Sequence, residues 1–154
     1  MRCLIICACE KVIVDKTNGA NSLISLLRTA NVQITNAAAP AMPSNAVVPS
    51  LWYVYTMWES EPEDTGLQFD QVTEIYWPNG ELFISNRLPF KAEKSLIVQN
   101  ANGFVGFPAG QIGKIKITAW IEHNTKRASE TAHYEVAVVH DEPSFGNPVT
   151  APPS

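Results

Sequence analysis

Residues 114–123 alternate with a period of two: Ile115, Ile117, Ala119 and Ile121 point one way, and Lys114, Lys116, Thr118, Trp120 and Glu122 the other. Only an extended strand places every second side chain on one face, so this stretch reads as a strand with one buried and one wet side. A turn over residues 124–128 leads to its partner. In residues 132–139, Tyr134, Val136 and Val138 share the inward face, while His133, Glu135 and Ala137 share the outward one. A hairpin of this kind must hide its apolar face against a second layer.

The remaining chain offers more strands and no capped helical stripe. Residues 2–15 carry Leu4, Ile5, Ile6, Val12, Ile13 and Val14, which predicts a long first strand bent near Glu10. Residues 16–21 contain Asn18-Gly19 and mark a turn; residues 22–27 and 30–35 are further strands. Residues 36–49, with three prolines and five alanines, read as a loop crossing between sheets. Residues 51–58 are apolar on both faces, with Leu51, Tyr53, Tyr55 and Met57 opposite Trp52, Val54, Thr56 and Trp58, which predicts a central strand. An acidic loop at residues 59–66 precedes a strand over residues 67–77, which has room for a bulge.

Trp77-Pro78-Asn79-Gly80 is a hairpin turn by composition, since proline presets one φ and glycine accepts a positive one. Residues 82–84 should then pair back onto Ile75. A connection containing Pro89 leads to a short strand at residues 95–99, and residues 100–110 read as turns because they are rich in Gly and Asn. Together these segments predict an all-β fold: a two-sheet antiparallel β-sandwich of immunoglobulin-like, Greek-key type with eight or nine strands. Residues 1–140 form the domain, and residues 141–154 a Pro-rich tail.

At 154 residues the chain is long enough for one self-sufficient core. The net charge of −4 has no basic run beyond Lys126 and Arg127, which argues against nucleic acid as a partner. The apolar stretch at residues 4–8 is too short for an export signal, and no run reaches the roughly 20 residues of a membrane span. Three cysteines, all within the first nine residues, do not make a disulfide framework. These features predict a cytoplasmic protein with no membrane partner.

Candidate chemistry is sparse. Cys3, Cys7 and Cys9 share parity and should face one way, and with His123, His133 or His140 they could approach a zinc set. No C-x-x-C spacing is present, however, and cysteine is often a small core residue. Glu59, Glu61, Glu63 and Asp64, with Asp70 or Asp141, could hold a hard cation, but Pro62 interrupts the loop where calcium sites use glycine. No Gly-x-Ser-x-Gly elbow, phosphate loop or dinucleotide fingerprint occurs. The sequence therefore predicts no metal, no cofactor and no catalytic residue. Trp52, Trp58 and Trp120 remain, because large aromatics on an outward sheet face would make a partner-binding surface.

The opening also resembles a family of small uncharacterised bacterial β-sandwich proteins, a domain of unknown function. The resemblance is carried by Cys9-Glu10, Asn18-Gly19 and Ser22-Leu23-Ile24, by the strand after Pro49, by Pro78-Asn79-Gly80, and by the final hairpin at residues 114–139. It implies a sandwich and brings no activity and no functional residue.

The expectation is thus a non-enzymatic binding or assembly module. It would act through an aromatic-rich sheet face or a sheet edge on a protein partner or another copy of itself. A carbohydrate or small-ligand site built on Trp and Tyr, and a structural part of a larger, viral particle, are the other classes considered.

Overall fold

A computed structural model of the chain describes residues 1–18, 20–33, 42–93 and 96–141. Its strands are β1 (Arg2–Val14), β2 (Asn21–Leu26), β3 (Thr29–Gln33), β4 (Val47–Glu59), β5 (Gln68–Tyr76), β6 (Leu82–Lys91), β7 (Ile97–Pro108), β8 (Gly113–His123), β9 (Lys126–Arg127) and β10 (Ala132–Asp141). Among the described residues the one helical piece is a 3-10 turn, Pro62–Asp64, where Asp64 Oδ2 accepts from the Glu61 N–H. The strands make two packed sheets, β2-β1-β4-β7 and β3-β10-β8-β5-β6, with β9 paired to β8. This is the two-sheet sandwich that the alternation predicts. The expected turn at Gly19, part of the crossing loop, and the tail from residue 142 lie outside the described residues.

One pairing departs from the antiparallel expectation: β3 runs parallel to β10, with Ala30 opposite Val138 and Val32 opposite His140. The chain leaves the first sheet at Leu27 and lands on the far side of what becomes its last strand. A parallel pair needs a long connection, and nearly the whole domain supplies it.

The inward faces meet as expected. Ile115, Ile117, Ala119 and Ile121 are fully buried. The larger core cluster gathers Trp52, Val54, Ile75, Phe104, Phe107 and Val136, and the smaller one Trp58, Phe69, Ala119 and Ile121. Along β4 and β5 the two clusters are separated by a polar layer of Thr56, Gln71 and Thr73, all buried. The 77–80 turn closes as composition predicts: Gly80 takes a φ of +89°, and its N–H donates to Trp77 O at 2.9 Å. Ile75 then faces Ile84, and the register shifts before Tyr76.

Four stretches expected to be loops or turns contain strand instead, the shortest being β9 inside the 124–128 turn. Pro89 lies inside β6, which among the described residues pairs with β5 alone, and an edge strand is where a sheet tolerates proline. Pro49 lies inside β4 at a bulge. Val48 opposes Phe107 and Leu51 opposes Val105, so Pro49 and Ser50 share the single Gly106, whose φ is +90°. Residues 100–108 continue β7 rather than turning: Asn100 and Asn102 face inward to polar partners, and Gly103 lies under the Tyr53 ring.

β1 changes partner at Cys9. Residues up to Cys9 pair with β4, and residues from Cys9 onward pair with β2. In a flat sheet β2 and β7 would stand about 14 Å apart, three strand spacings. Yet Asn21 Nδ2 donates to Gln99 Oε1 at 2.8 Å. The bend expected near Glu10 therefore folds the β1–β2 hairpin back over the outer face of its own sheet. Cys7, Cys9 and Tyr55 are buried on that face, and Val12 and Leu23 of the hairpin are half-buried.

Candidate interaction site

The three tryptophans expected to face a partner do not. Trp52 lies between the sheets against Phe104 and Phe107, with ring centroids 5.4 Å away in each case, and its Nε1 donates to Gly106 O. Trp58 is fully buried, donating from Nε1 to Gln71 Oε1 at 2.9 Å and lying 3.0 Å from Thr56 Oγ1. Trp120 does point away from the core, but it is only 9% exposed. The Arg127 guanidinium sits 4.5 Å above its ring, and its Nε1 donates to Glu122. The reading of these residues as a binding surface is corrected on physical grounds. In β4 the bulky indoles take the inward face, and the short β9 hairpin covers the third.

The cysteines split. The register puts Cys3 opposite Trp58, but a bulge before Ile5 puts Cys7 opposite Tyr55 and Cys9 opposite Tyr53. Directly opposed residues share a face, so Cys3 packs on the core side and the other two on the outer side under the hairpin. All three are free thiols. Burial, with Cys9 beside it, pushes the Cys7 thiol up to about 11.

The carboxylates of the acidic loop are dispersed. Glu59 pairs with Arg2 at 2.7 Å, Asp64 caps the 3-10 turn, and Asp70 pairs with Arg87 at 3.1 Å. Arg87 also meets Glu122 at 2.7 Å. Hydrogen bonds from Trp120 and then Arg87 hold the Glu122 carboxyl below its ordinary range. Among the described residues no three of His, Cys, Asp and Glu come together as a metal set. The histidines are equally separate: His123 Nδ1 donates to Gln68 O, His140 Nε2 donates to Ala109 O, and His133 is exposed.

Clefts open on the surface of the described residues, and three of them bear on function. One of about 510 Å³ is lined by the first residues and Glu130 to Ala132. One of about 320 Å³ lies at a sandwich end, against Leu27, Val32, Leu51 and Trp52. One of about 460 Å³ lies beside the 77–80 turn, over Tyr76, Lys116 and Thr118. None of them brings a histidine to a serine or cysteine.

The feature that sequence reading missed is β7. Its twelve residues contain no charged side chain, and it ends its sheet, so among the described residues no strand pairs with its far side. About half of an edge strand's N–H and C=O groups point outward. Apolar side chains border this edge: Val105 is 83% exposed, and Leu51, directly opposite it on β4, is 56% exposed. Other edges are protected or short. β6 carries Arg87, Pro89 and Lys91, while β3 has five residues and β2 six. Long uncharged edges are what natural sheets usually avoid. The available signal was the charge-free run between Ser95 and Gly113; its Gly and Asn residues disguised it as loop.

Models of known protein families match no part of this chain, and a search of curated proteins returns no match.

Proposed function

We propose that the protein is a non-enzymatic binding and assembly module that accepts an extended strand of a protein partner along β7. The observation that carries this is the edge from Val98 to Pro108: uncharged, without a strand on its far side among the described residues, and flanked by exposed Val105 and Leu51. Main-chain hydrogen bonds to such an edge supply affinity, and flanking apolar side chains supply selectivity. The reading includes an immunoglobulin-like strand arrangement, supported by the order β1-β4-β7 against β10-β8-β5-β6, and a reducing cytoplasmic setting, supported by three free thiols. Amide hydrogen exchange tests it, with a peptide of alternating threonine and valine as the probe strand. The outward amides of β7 should slow at least about tenfold on addition of the peptide while β6 is unchanged. Unchanged β7 rates at saturating peptide refute the reading.

One observation favours a second reading, binding of a small ligand such as a carbohydrate. Thr118 Oγ1 is buried without a partner at the cleft of about 460 Å³, next to Lys116 and the Tyr76 ring. A polar hydroxyl left in that state is costly unless something meets it. Saturation-transfer NMR with neutral and acidic monosaccharides tests this, and absence of transfer to any of them removes it.

A further inference from the structure

We infer that the cleft beside the 77–80 turn binds a sugar acid, with the carboxylate on Lys116 and a ring hydroxyl on Thr118; this rests on the small-ligand reading above. The strand register builds the site. On the outer face of the second sheet, Tyr76 of β5, Lys116 of β8 and Glu135 of β10 form one cross-strand row, and Glu74, Thr118 and His133 form the next. Trp77 and Pro78 of the turn wall one side of the cleft, whose volume of about 460 Å³ lies in the ordinary range of small-ligand sites.

Two groups in this cleft are left unused by the fold. The first is the Lys116 ammonium. Glu135 stands opposite it on β10 but pairs with Lys114 at 2.7 Å, and Tyr76 stands opposite it on β5 but donates its hydroxyl to Glu74 Oε2. Lys116 is exposed and makes no ion pair among the described residues. The second is the Thr118 hydroxyl, on a residue only 5% exposed. Glu74 and His133 flank it in register, yet its Oγ1 is buried and bonds nothing. A lysine in solvent is an ordinary surface charge. A buried hydroxyl one row along the same strand, at the same cleft, makes the pair a recognition element, because such a group is costly until something meets it.

The surrounding charges select the ligand class. One unpaired ammonium matches one carboxylate. A phosphate group carries about −1.5 to −2 at neutral pH and would meet Glu74 and Glu135 on either side, while a neutral sugar leaves the ammonium without an anion. A carboxylate has about four lone-pair sites, so Glu74 and Glu135 keep acceptors for ring hydroxyls after taking Tyr76 and Lys114. The half-buried Tyr76 ring supplies an apolar wall for the C–H face of the sugar.

Amide chemical-shift titrations of the full chain with glucuronate and galacturonate, their neutral parents glucose and galactose, and inorganic phosphate test the inference. At least one uronate should bind with a dissociation constant of about 1 mM or tighter, at least about tenfold tighter than its neutral parent, with shifts centred on residues 76–80 and 114–118. Lys116 is exposed and unpaired, so Lys116→Gln should keep the parent's Tm and reduce the uronate to the affinity of the neutral sugar. Thr118→Val keeps the shape and removes a hydroxyl that bonds nothing, so it should weaken binding of the uronate without lowering Tm. A uronate bound no better than its parent overturns the inference while the small-ligand reading stands, and so does a preference that survives Lys116→Gln. Phosphate bound as tightly as the uronate also overturns it, since charge alone would then explain the contact. If no sugar shifts these residues, both fail.

Discussion

Gln71→Leu should be among the most destabilising conservative-volume changes in this chain, for a reason that lies in the polar layer. Gln71 Oε1 accepts from Thr56 Oγ1 at 2.7 Å, Trp58 Nε1 at 2.9 Å and Asn100 Nδ2 at 2.9 Å. Leucine fills the space but accepts nothing. Trp58 keeps an acceptor in Thr56 Oγ1, so two donors are stranded, from Thr56 and from Asn100. Each buried unsatisfied group costs about 1–3 kcal/mol. The extra apolar burial of leucine offsets about 1 kcal/mol, which leaves a net loss of about 3 kcal/mol. That is a large part of a typical total of about 5–15 kcal/mol. In a domain of this size it lowers Tm by about 10 °C. Urea denaturation followed by tryptophan emission measures it, with the m-value unchanged. Adding Asn100→Leu removes one stranded donor, so the double variant should cost about 1–2 kcal/mol less than the sum of the singles. A Gln71→Leu midpoint within about 0.5 kcal/mol of the parent would show that the layer is not held by these bonds.

Gly106→Ala should destabilise by more than about 1 kcal/mol, because the φ of +90° disfavours a side chain and its Cβ would meet Val47 Cγ1 at 2.6 Å; calorimetry checks it, and an unchanged Tm counts against the bulge. Trp52→Ala should cost about 3–5 kcal/mol, as for other large core aromatics, and show as a lower urea midpoint. Iodide should quench the folded chain's tryptophan emission far less than that of the urea-unfolded chain, because Trp52, Trp58, Trp77 and Trp120 are all buried. Cys7 predicts a pH dependence. Its thiol ionises near pH 9.0 when unfolded and near about 11 when folded, so above pH 9 the unfolded chain holds fewer protons than the native one. Stability is therefore intact below pH 9 and falls between about 9 and 11; urea midpoints at pH 8 and pH 10 should diverge in the parent and diverge less in Cys7→Ala.

How far the sequence was legible depended on whether a local rule and the tertiary environment agreed. They agreed in β8 and β10, where period-two alternation matches one dry and one wet face, and at Trp77-Pro78-Asn79-Gly80, where backbone conformation alone decides. They disagreed where a residue's usual reason for being in a loop was cancelled by position. Pro89 survives in a strand because that strand is an edge, and Gly103 survives because Tyr53 lies over it. The cysteine parity failed through a single bulge near Cys3, which no composition rule marks. The tryptophans failed for a different reason. Parity says which residues share a face but not which face is inward, and β4 is apolar on both. The hairpin folded over its outer side is a long-range event, visible only once Asn21 meets Gln99.

The same hairpin bears on why the bare edge stands at β7 and not elsewhere. A sheet with two free edges can grow from either side, but in this one β2 at the opposite end has been carried out of plane by the bend after Cys9. A six-residue strand lying over the face of its own sheet offers a neighbour a short and misaligned ladder, whereas β7 offers a long one in plane. The second sheet is limited at both ends, by the five-residue β3 and by β6 with its proline and two cations. Among the described residues three edges are short or carry proline and charge while the fourth is long and uncharged, which confines strand addition to one direction. Protection of the β2 or β6 amides by the threonine–valine peptide, alongside those of β7, would mean that the asymmetry between edges has no consequence.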